Sequence, residues 1–237
     1  MIPLLLTNLL GSKNWHIDDN PQLFRGVVED PHALATWEEV EYCINFPEFY
    51  DIKFIDSNSL DFIPIPKYPR CWAHDCEDVK DLMQVWKDGH NLVINNFDSG
   101  NRKKQEILRE FERVFECRMA MHIYAGCKGC SSFRVHEDTA SNFIIQIEGQ
   151  THWTVYKNRC SNVIKPMETC QEEFNEMITQ MEPAVDVMLT PGDMIYIPAR
   201  CYHQAQPDGK RLSVSIPMQH MLPNYKAFDR TYYELPH

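Results

Sequence analysis

The sequence predicts a mainly β protein with flanking α-helices: a double-stranded β-helix, or jelly roll, with N-terminal helices packed on its outside. Three observations lead to this prediction. From residue 118 onward, short β-rich segments alternate with Gly, Pro or polar turns, as in sandwiches and barrels. Before that point, two longer segments have the apolar periodicity of amphipathic helices. Hydrophobic residues make up 43% of the chain, which is enough to bury a sizeable core.

The N-terminal part, residues 1–117, mixes helical and extended segments. Its first helix should begin at Thr36, because Glu39 lies three residues further on and completes a capping box. Pro47 should end that helix. The other elements predicted here are a strand at 51–56, an extended linker at 62–69, helices at 77–87 and 101–117, and a short strand at 91–96.

Residues 118–218 are expected to form the jelly-roll core, followed by a C-terminal tail at 219–237, within one domain that spans 1–237. One helix, at about 170–181, should interrupt the strands. The predicted strands are 118–125, 131–136, 143–148, 151–156, 185–190, 193–197 and 211–217.

Charge and cysteine content narrow the class of protein. A net charge of −11 makes a nucleic-acid partner unlikely, and the sequence has no apolar stretch of membrane-spanning length. Nine cysteines, an odd number, and the lack of a signal peptide predict free thiols in a reducing compartment. We therefore expect a soluble cytoplasmic protein. Its oligomeric state stays open, with a homodimer among the alternatives.

The most informative motif is His136-Glu137-Asp138, together with the distant His203. Alternate residues of a strand share a face, so His136 and Asp138 can point into one cavity while Glu137 points away. Two imidazoles and one carboxylate suit one face of an Fe(II) ion and leave the other face open for a cosubstrate and O₂. We therefore predict His136, Asp138 and His203 as metal ligands and catalytic residues. Glu137 is an alternative ligand, but it lies on the wrong side of the strand.

Further residues around these ligands follow a recognisable pattern: Phe143, Gln146, Gly149, Trp153, Tyr156, then Pro191-Gly192-Asp193 and Ile195-Tyr196-Ile197-Pro198. This pattern resembles the JmjC or cupin-like Fe(II)/2-oxoglutarate-dependent oxygenases, and most closely their ribosomal-protein-hydroxylase branch. The resemblance extends over roughly residues 15–218. It implies a jelly roll of the cupin/JmjC type and a dioxygenase that uses Fe(II), 2-oxoglutarate and O₂. It also implies that the enzyme hydroxylates a side chain of a protein or peptide.

The resemblance further implies a binding site for the distal carboxylate of 2-oxoglutarate, which needs a cation or strong donors. Related enzymes usually carry Lys or Arg fifteen residues after the first histidine ligand, where this chain has Thr151. Arg211, eight residues after His203, is the expected substitute. Thr151 and Tyr124 can add hydroxyl donors. Asn142 stands where some relatives hold an asparagine near the cosubstrate.

Several alternatives stay open at this point. The same chemistry can act on a small molecule or on a modified tRNA nucleotide. A cupin with other chemistry can be a metal-dependent isomerase, a cosubstrate-free dioxygenase or a non-catalytic binding module, and Thr151 would favour the last of these. Cys127 and Cys130 have the spacing of a zinc knuckle but lack the second pair of ligands that a closed tetrahedral site requires.

Overall fold

The computed structural model describes residues 20–69, 75–115, 117–127, 133–159 and 176–219. Its α-helices are α1 (Trp37–Asn45), α2 (Val79–Asp88) and α3 (Arg102–Phe115). None of the described helices is both long and apolar enough to cross a membrane. The first seven strands are β1 (Gln22–Phe24), β2 (Asp51–Ile55), β3 (Lys67–Tyr68), β4 (Cys76–Glu77), β5 (Asn91–Asn95), β6 (Arg118–Met119) and β7 (His122–Gly126). The next seven are β8 (His136–Glu137), β9 (Ser141–Glu148), β10 (Thr151–Arg159), β11 (Pro183–Leu189), β12 (Met194–Ile197), β13 (Cys201–Pro207) and β14 (Arg211–Gln219).

Two antiparallel sheets form the body of the molecule. The larger sheet has the order β1-β12-β9-β14-β7-β5-β2, with β6 also paired to β14, and the smaller has the order β11-β10-β13-β8. From β7 onward the chain passes repeatedly from one sheet to the other, which is the winding of a double-stranded β-helix. The predicted jelly roll with N-terminal helices on its outside is therefore confirmed.

The larger sheet has an apolar face and a polar face. Its apolar face packs against the helices in the main core, through Ile52, Ile94, Ile123 and Val214. Helix α3 covers this face with Leu108 and Phe111, both with no exposed surface. Each such buried side chain contributes about 2 kcal/mol to folding. The alternate residues of the same strands consequently point to the other face, which lines the inside of the jelly roll.

The start of α1 follows the predicted capping box. The Thr36 hydroxyl accepts a hydrogen bond from the Glu39 backbone N–H at 3.2 Å, and the Glu39 carboxylate accepts one from the Thr36 N–H at 3.0 Å. Glu39 has a second role, because its carboxylate also accepts from the buried ammonium of Lys104 at 3.0 Å. Glu39 therefore also connects α1 to α3.

Two strands of the main sheets, β1 and β13, were not predicted from the sequence. Strand β1 pairs with β12 and is held there by Asp193, which accepts from the Gly26 N–H at 2.8 Å and from Arg25 at 2.7 Å. Burial alone would raise the pKa of Asp193, but hydrogen bonds from Thr190, Gly26 and Arg25 lower it below its usual value. Strand β13 was missed because its inward positions carry His203 and Ala205, which give no apolar alternation.

Other boundaries differ from the prediction. Within the expected linker at 62–69, β3 pairs with β4 in a separate small sheet. The strand expected at 131–136 is reduced to β8, because residues 133–135 form a bend and 131–132 lie outside the described part of the chain. Of the helix expected at 170–181, residues 176–179 are helical and 170–175 also lie outside the described residues.

Gly149, in the turn between β9 and β10, has a packing role that leads to a first prediction. Its φ is +73°, and a Cβ added there would lie 2.0 Å from the backbone oxygen of Lys210. The Gly149→Ala change should therefore destabilise the protein by about 2 kcal/mol or more, because backbone atoms must move. Thermal or urea unfolding measures this. Gly209→Ala, at φ +90° with open space around it, is the control that isolates the steric clash from the backbone strain.

Candidate metal centre

The three predicted ligands converge. His136 on β8 lies directly opposite His203 on β13, and Asp138 follows His136 by two residues on the same side. One ligand atom from each of the three residues lies within 4.8 Å of the others. Asp138 is 3.9 Å from Nε2 of His136 and 3.7 Å from Nε2 of His203. Three donor atoms this close to one another can hold one metal ion.

The hydrogen bonds of the two imidazoles fix which nitrogen faces the cluster. Nδ1 of His136 lies 2.8 Å from the backbone oxygen of Arg134, and Nδ1 of His203 lies 2.9 Å from that of Cys201. Because a carbonyl oxygen only accepts, Nδ1 must donate in both rings, and Nε2 keeps its lone pair. Both lone pairs are therefore available to a metal.

Burial keeps His203 neutral. Loss of solvent, together with the nearby His136, lowers the pKa of His203 to about 4, although the charge of Asp138 acts in the opposite direction. A neutral imidazole can bind a metal without first releasing a proton. The ring also lies against Trp153, with centroids 6.1 Å apart and planes 28° apart, and this contact restricts its orientation.

Asn142 contacts the ligand carboxylate itself. Its side-chain nitrogen donates to Asp138 at 2.7 Å, and its side-chain oxygen accepts from the Ser215 hydroxyl at 3.2 Å. This chain of hydrogen bonds orients the carboxylate from β9 and β14. The sequence predicts that Asn142 lies near the cosubstrate, and in the structure it contacts Asp138, one of the three predicted metal ligands.

A cavity of about 30 Å³ extends from the three predicted ligands into the jelly roll. Arg211, at 1% exposure, lies on its wall together with Tyr124 and Ser213. Arg211 is four residues before Ser215 on β14, which corresponds to about 13 Å along the strand. The cavity therefore has the metal ligands towards one end and a buried cation towards the other. The full lining comprises Tyr124, Phe133, His136, Asp138, Ile144, Trp153, His203, Ala205, Arg211, Ser213 and Ser215.

Arg211 and Tyr124 keep their protons at neutral pH. Burial lowers the pKa of Arg211 to about 10, and the nearby Tyr124 raises it slightly, so the guanidinium stays charged. Burial, with a smaller contribution from Asp138, raises the pKa of Tyr124 well above its ordinary value. Both groups can consequently donate hydrogen bonds to an anion.

Two further donors on β10 have no hydrogen-bond partner among the described residues. One is the indole N–H of Trp153, which lines the cavity, and the other is the Thr151 hydroxyl. Thr151 is fully buried two residues before Trp153, but it is not among the residues that line the cavity. Trp153 was not predicted from the sequence as a hydrogen-bond donor. The sequence pattern that could have indicated this role is its position two residues after Thr151, on the same face of β10.

A second, more polar cavity of about 190 Å³ lies on the other side of Asp138. It meets a row of polar side chains on the inner face of the larger sheet, here called the polar row: Ser215, His122, Asn95 and Asp51. Within this row Asn95 donates to Asp51 at 2.8 Å. Nδ1 of His122 is buried with no hydrogen-bond partner in the described chain. Polar atoms thus lead from the surface of β2 to the candidate metal centre.

Cys127 is a free thiol that contacts Trp86, at 4.0 Å from Sγ to the backbone oxygen. Cys130, its partner in the zinc-knuckle spacing, lies outside the described residues. Among the described residues, the only group of three or more metal-binding side chains is the one at His136, Asp138 and His203.

Comparisons with known proteins agree with this geometry. A family model described as JmjC domain matches residues 93–226, more than half of the chain. The chain is 29% identical over 162 residues to the bifunctional lysine-specific demethylase and histidyl-hydroxylase NO66 of Dictyostelium discoideum, covering 68% of this chain and 30% of that protein. It is also 29% identical over 137 residues to ribosomal oxygenase 1 of Danio rerio, covering 57% of this chain and 25% of that protein.

Among solved structures, the fold is similar to that of YcfD, a ribosomal oxygenase from Escherichia coli. In its complex with cobalt and 2-oxoglutarate the TM-score is 0.59 at 14% identity, covering 97% of this chain and 60% of that one. In its complex with cobalt and succinic acid the TM-score is 0.58 at 15% identity, covering 91% and 52%. The chain thus spans less than a third of the two relatives named above and between half and two thirds of these structures.

Proposed function

Because the chain belongs to the JmjC domain family, we propose that it is an Fe(II)- and 2-oxoglutarate-dependent oxygenase that hydroxylates a side chain of a protein or peptide. One observation carries the proposal: His136, Asp138 and His203 meet at a cavity whose wall also holds the buried cation of Arg211. A site for a dicarboxylate that binds a metal needs these two features together. The relatives reported above include proteins named ribosomal oxygenase and histidyl-hydroxylase, which supports a protein substrate.

The donor set fits Fe(II). His136 and His203 would present Nε2, and Asp138 would supply the one negative charge, so three protein donors occupy one face of the ion. Asn142 and the two backbone carbonyls hold these donors in orientation. When bound, Fe(II) with 2-oxoglutarate supplies O₂ chemistry that converts the cosubstrate to succinate and CO₂ and inserts one oxygen atom into a C–H bond.

The charged and polar groups on the wall of the first cavity suit a carboxylate of the cosubstrate. Arg211 would bind the distal carboxylate, and Tyr124 would donate to the same group from the neighbouring strand. Thr151 lies at the same end of the jelly roll, because the Gly149 turn that precedes it packs on the backbone of Lys210 and Arg211. Its buried hydroxyl supports a third donor role.

The second cavity supports a route for the substrate. The polar row offers hydrogen-bonding groups to a polypeptide that lies across β2, β5 and β7, and the cavity brings one of its side chains next to Asp138. Cys43, Cys76 and Cys201 are free thiols, which supports a location in a reducing compartment such as the cytoplasm.

Mass spectrometry of reaction mixtures tests the substrate class. The protein is incubated with Fe(II), 2-oxoglutarate, O₂ and separate protein, tRNA and small-molecule fractions of a cell extract, with Asp138→Ala as the inactive control. We expect a peptide to gain the mass of one oxygen atom while succinate forms in equal amount. The same gain on a nucleoside or metabolite would support the small-molecule or tRNA alternative instead. No succinate with any fraction would favour a cupin without oxygenase activity.

A further inference from the structure

The turn that joins β12 to β13 has an unusual backbone. Arg200 in this turn has φ +68°, in the left-handed region that favours glycine and disfavours residues with a Cβ. The turn is closed by a hydrogen bond from the Cys201 N–H to the Pro198 oxygen at 3.2 Å. An arginine in this conformation indicates that its contacts compensate for the backbone strain.

Two backbone N–H groups of this turn donate to the segment that carries His136 and Asp138. The Arg200 N–H donates to the backbone oxygen of Asp138 at 2.7 Å. The preceding N–H, of Ala199, donates to the Ser141 hydroxyl at 2.9 Å. The turn before β13 is therefore hydrogen-bonded to the chain at Asp138 and at Ser141.

The side chain of Arg200 adds an ion pair to the same segment. Its guanidinium lies 3.0 Å from the carboxylate of Glu137, and the two side chains are only 15% and 14% exposed. Glu137 stands between His136 and Asp138 and points to the opposite face of the strand. Because both charges are largely withdrawn from water, their attraction is stronger than that of a surface pair.

The ladder between β8 and β13 is short. Strand β8 has two residues, and its pairing with β13 consists of Glu137 opposite Tyr202 and His136 opposite His203. A strand this short is weakly held by its own ladder. The Glu137–Arg200 pair lies directly behind the ligands and spans the two segments that supply them.

We propose that Glu137 and Arg200 are positioning residues for the metal centre. They hold the strand with His136 and Asp138 at the separation from His203 that one divalent ion requires. The inference rests on the proposed metal-binding function, and neither residue touches the ion in this account. Groups that orient metal ligands from behind typically change metal affinity by about 10- to 100-fold when removed.

A titration of the metal-free protein with Co(II) tests this role. Calorimetry and visible absorption follow the binding. The main variant is the double change Glu137→Gln and Arg200→Gly, which removes both charges of this pair and relieves the left-handed strain. We expect its Co(II) dissociation constant to rise by about 10-fold or more. The thermal midpoint of the metal-free protein should meanwhile stay at or above that of the wild type. Arg200→Lys, which keeps a cation beside Glu137, should recover part of the affinity.

The control is Glu106→Gln, which removes the carboxylate of an exposed ion pair with Arg102 on α3 (2.8 Å). It should leave both quantities unchanged. Wild-type Co(II) affinity in the double variant would overturn the proposal. So would a loss of affinity that is matched by a loss of thermal stability, because that result indicates a structural role alone. Failure of the wild-type protein to bind Co(II) would instead contradict the proposed metal centre itself.

Discussion

The Asp138→Ala variant is expected to bind Fe(II) at least about 100-fold more weakly than the wild-type protein, a larger effect than the removal of any supporting group. Asp138 is the only anionic member of the three-residue group, and it contacts both imidazoles. Its side chain is 40% exposed, so its removal should cost little folding stability. Anaerobic calorimetric titration with Fe(II) measures the change.

The matched control is Asp186→Ala, because Asp186 is also an exposed carboxylate beside a histidine. It lies 2.6 Å from His152 on the outside of the smaller sheet. This variant should bind Fe(II) like the wild type. An unchanged Fe(II) affinity in Asp138→Ala would show that the ion, if bound, is held elsewhere.

The Arg211→Met variant should raise the concentration of 2-oxoglutarate needed for half-maximal turnover by about 10- to 100-fold, since a charged hydrogen bond to a carboxylate is lost. Methionine preserves much of the apolar volume that the buried arginine stem fills. Fe(II) affinity should change little, because Arg211 lies about 13 Å along β14 from Ser215, the residue that supports the Asp138 end. Succinate production at varied cosubstrate concentration gives the first quantity and calorimetry the second.

Two further variants sharpen the Arg211 prediction. Arg211→Lys keeps the charge but loses the fork of donors, so its cosubstrate requirement should lie between those of the wild type and Arg211→Met. Lys103→Ala, at an exposed position of α3, should behave like the wild type. Equal cosubstrate requirements in Arg211→Met and Lys103→Ala would reject the role of Arg211 and direct attention to Thr151 and Trp153.

The parts of this structure that follow local rules could be predicted from the sequence. The Thr36 capping box depends on residues three apart, and the shared direction of His136 and Asp138 depends on strand alternation. The jelly roll followed from the density of short strands and turns after residue 118. Each individual cap, strand and turn is indicated by a few consecutive residues.

The parts that depend on long-range register could not be predicted in this way. The hydrogen bond from Ser215 to Asn142 arises only when β14 is brought beside β9, and the pairing of Arg200 with Glu137 arises only when β13 is brought beside β8. The two-residue length of β8 is likewise set by its partner strand and not by its own sequence. The left-handed conformation of Arg200 could not be predicted from its neighbours, because Gly or Asn usually marks such a position in a turn.

The most direct test of the central claim is the visible absorption spectrum of the anaerobic protein with Fe(II), before and after addition of 2-oxoglutarate. We expect a weak charge-transfer band that appears only with both components, because the cosubstrate would bind the face of the ion that His136, Asp138 and His203 leave open. The band should be lost in Asp138→Ala and should require more cosubstrate in Arg211→Met. A wild-type protein that binds Fe(II) and shows no change on addition of 2-oxoglutarate would contradict the proposed cosubstrate site.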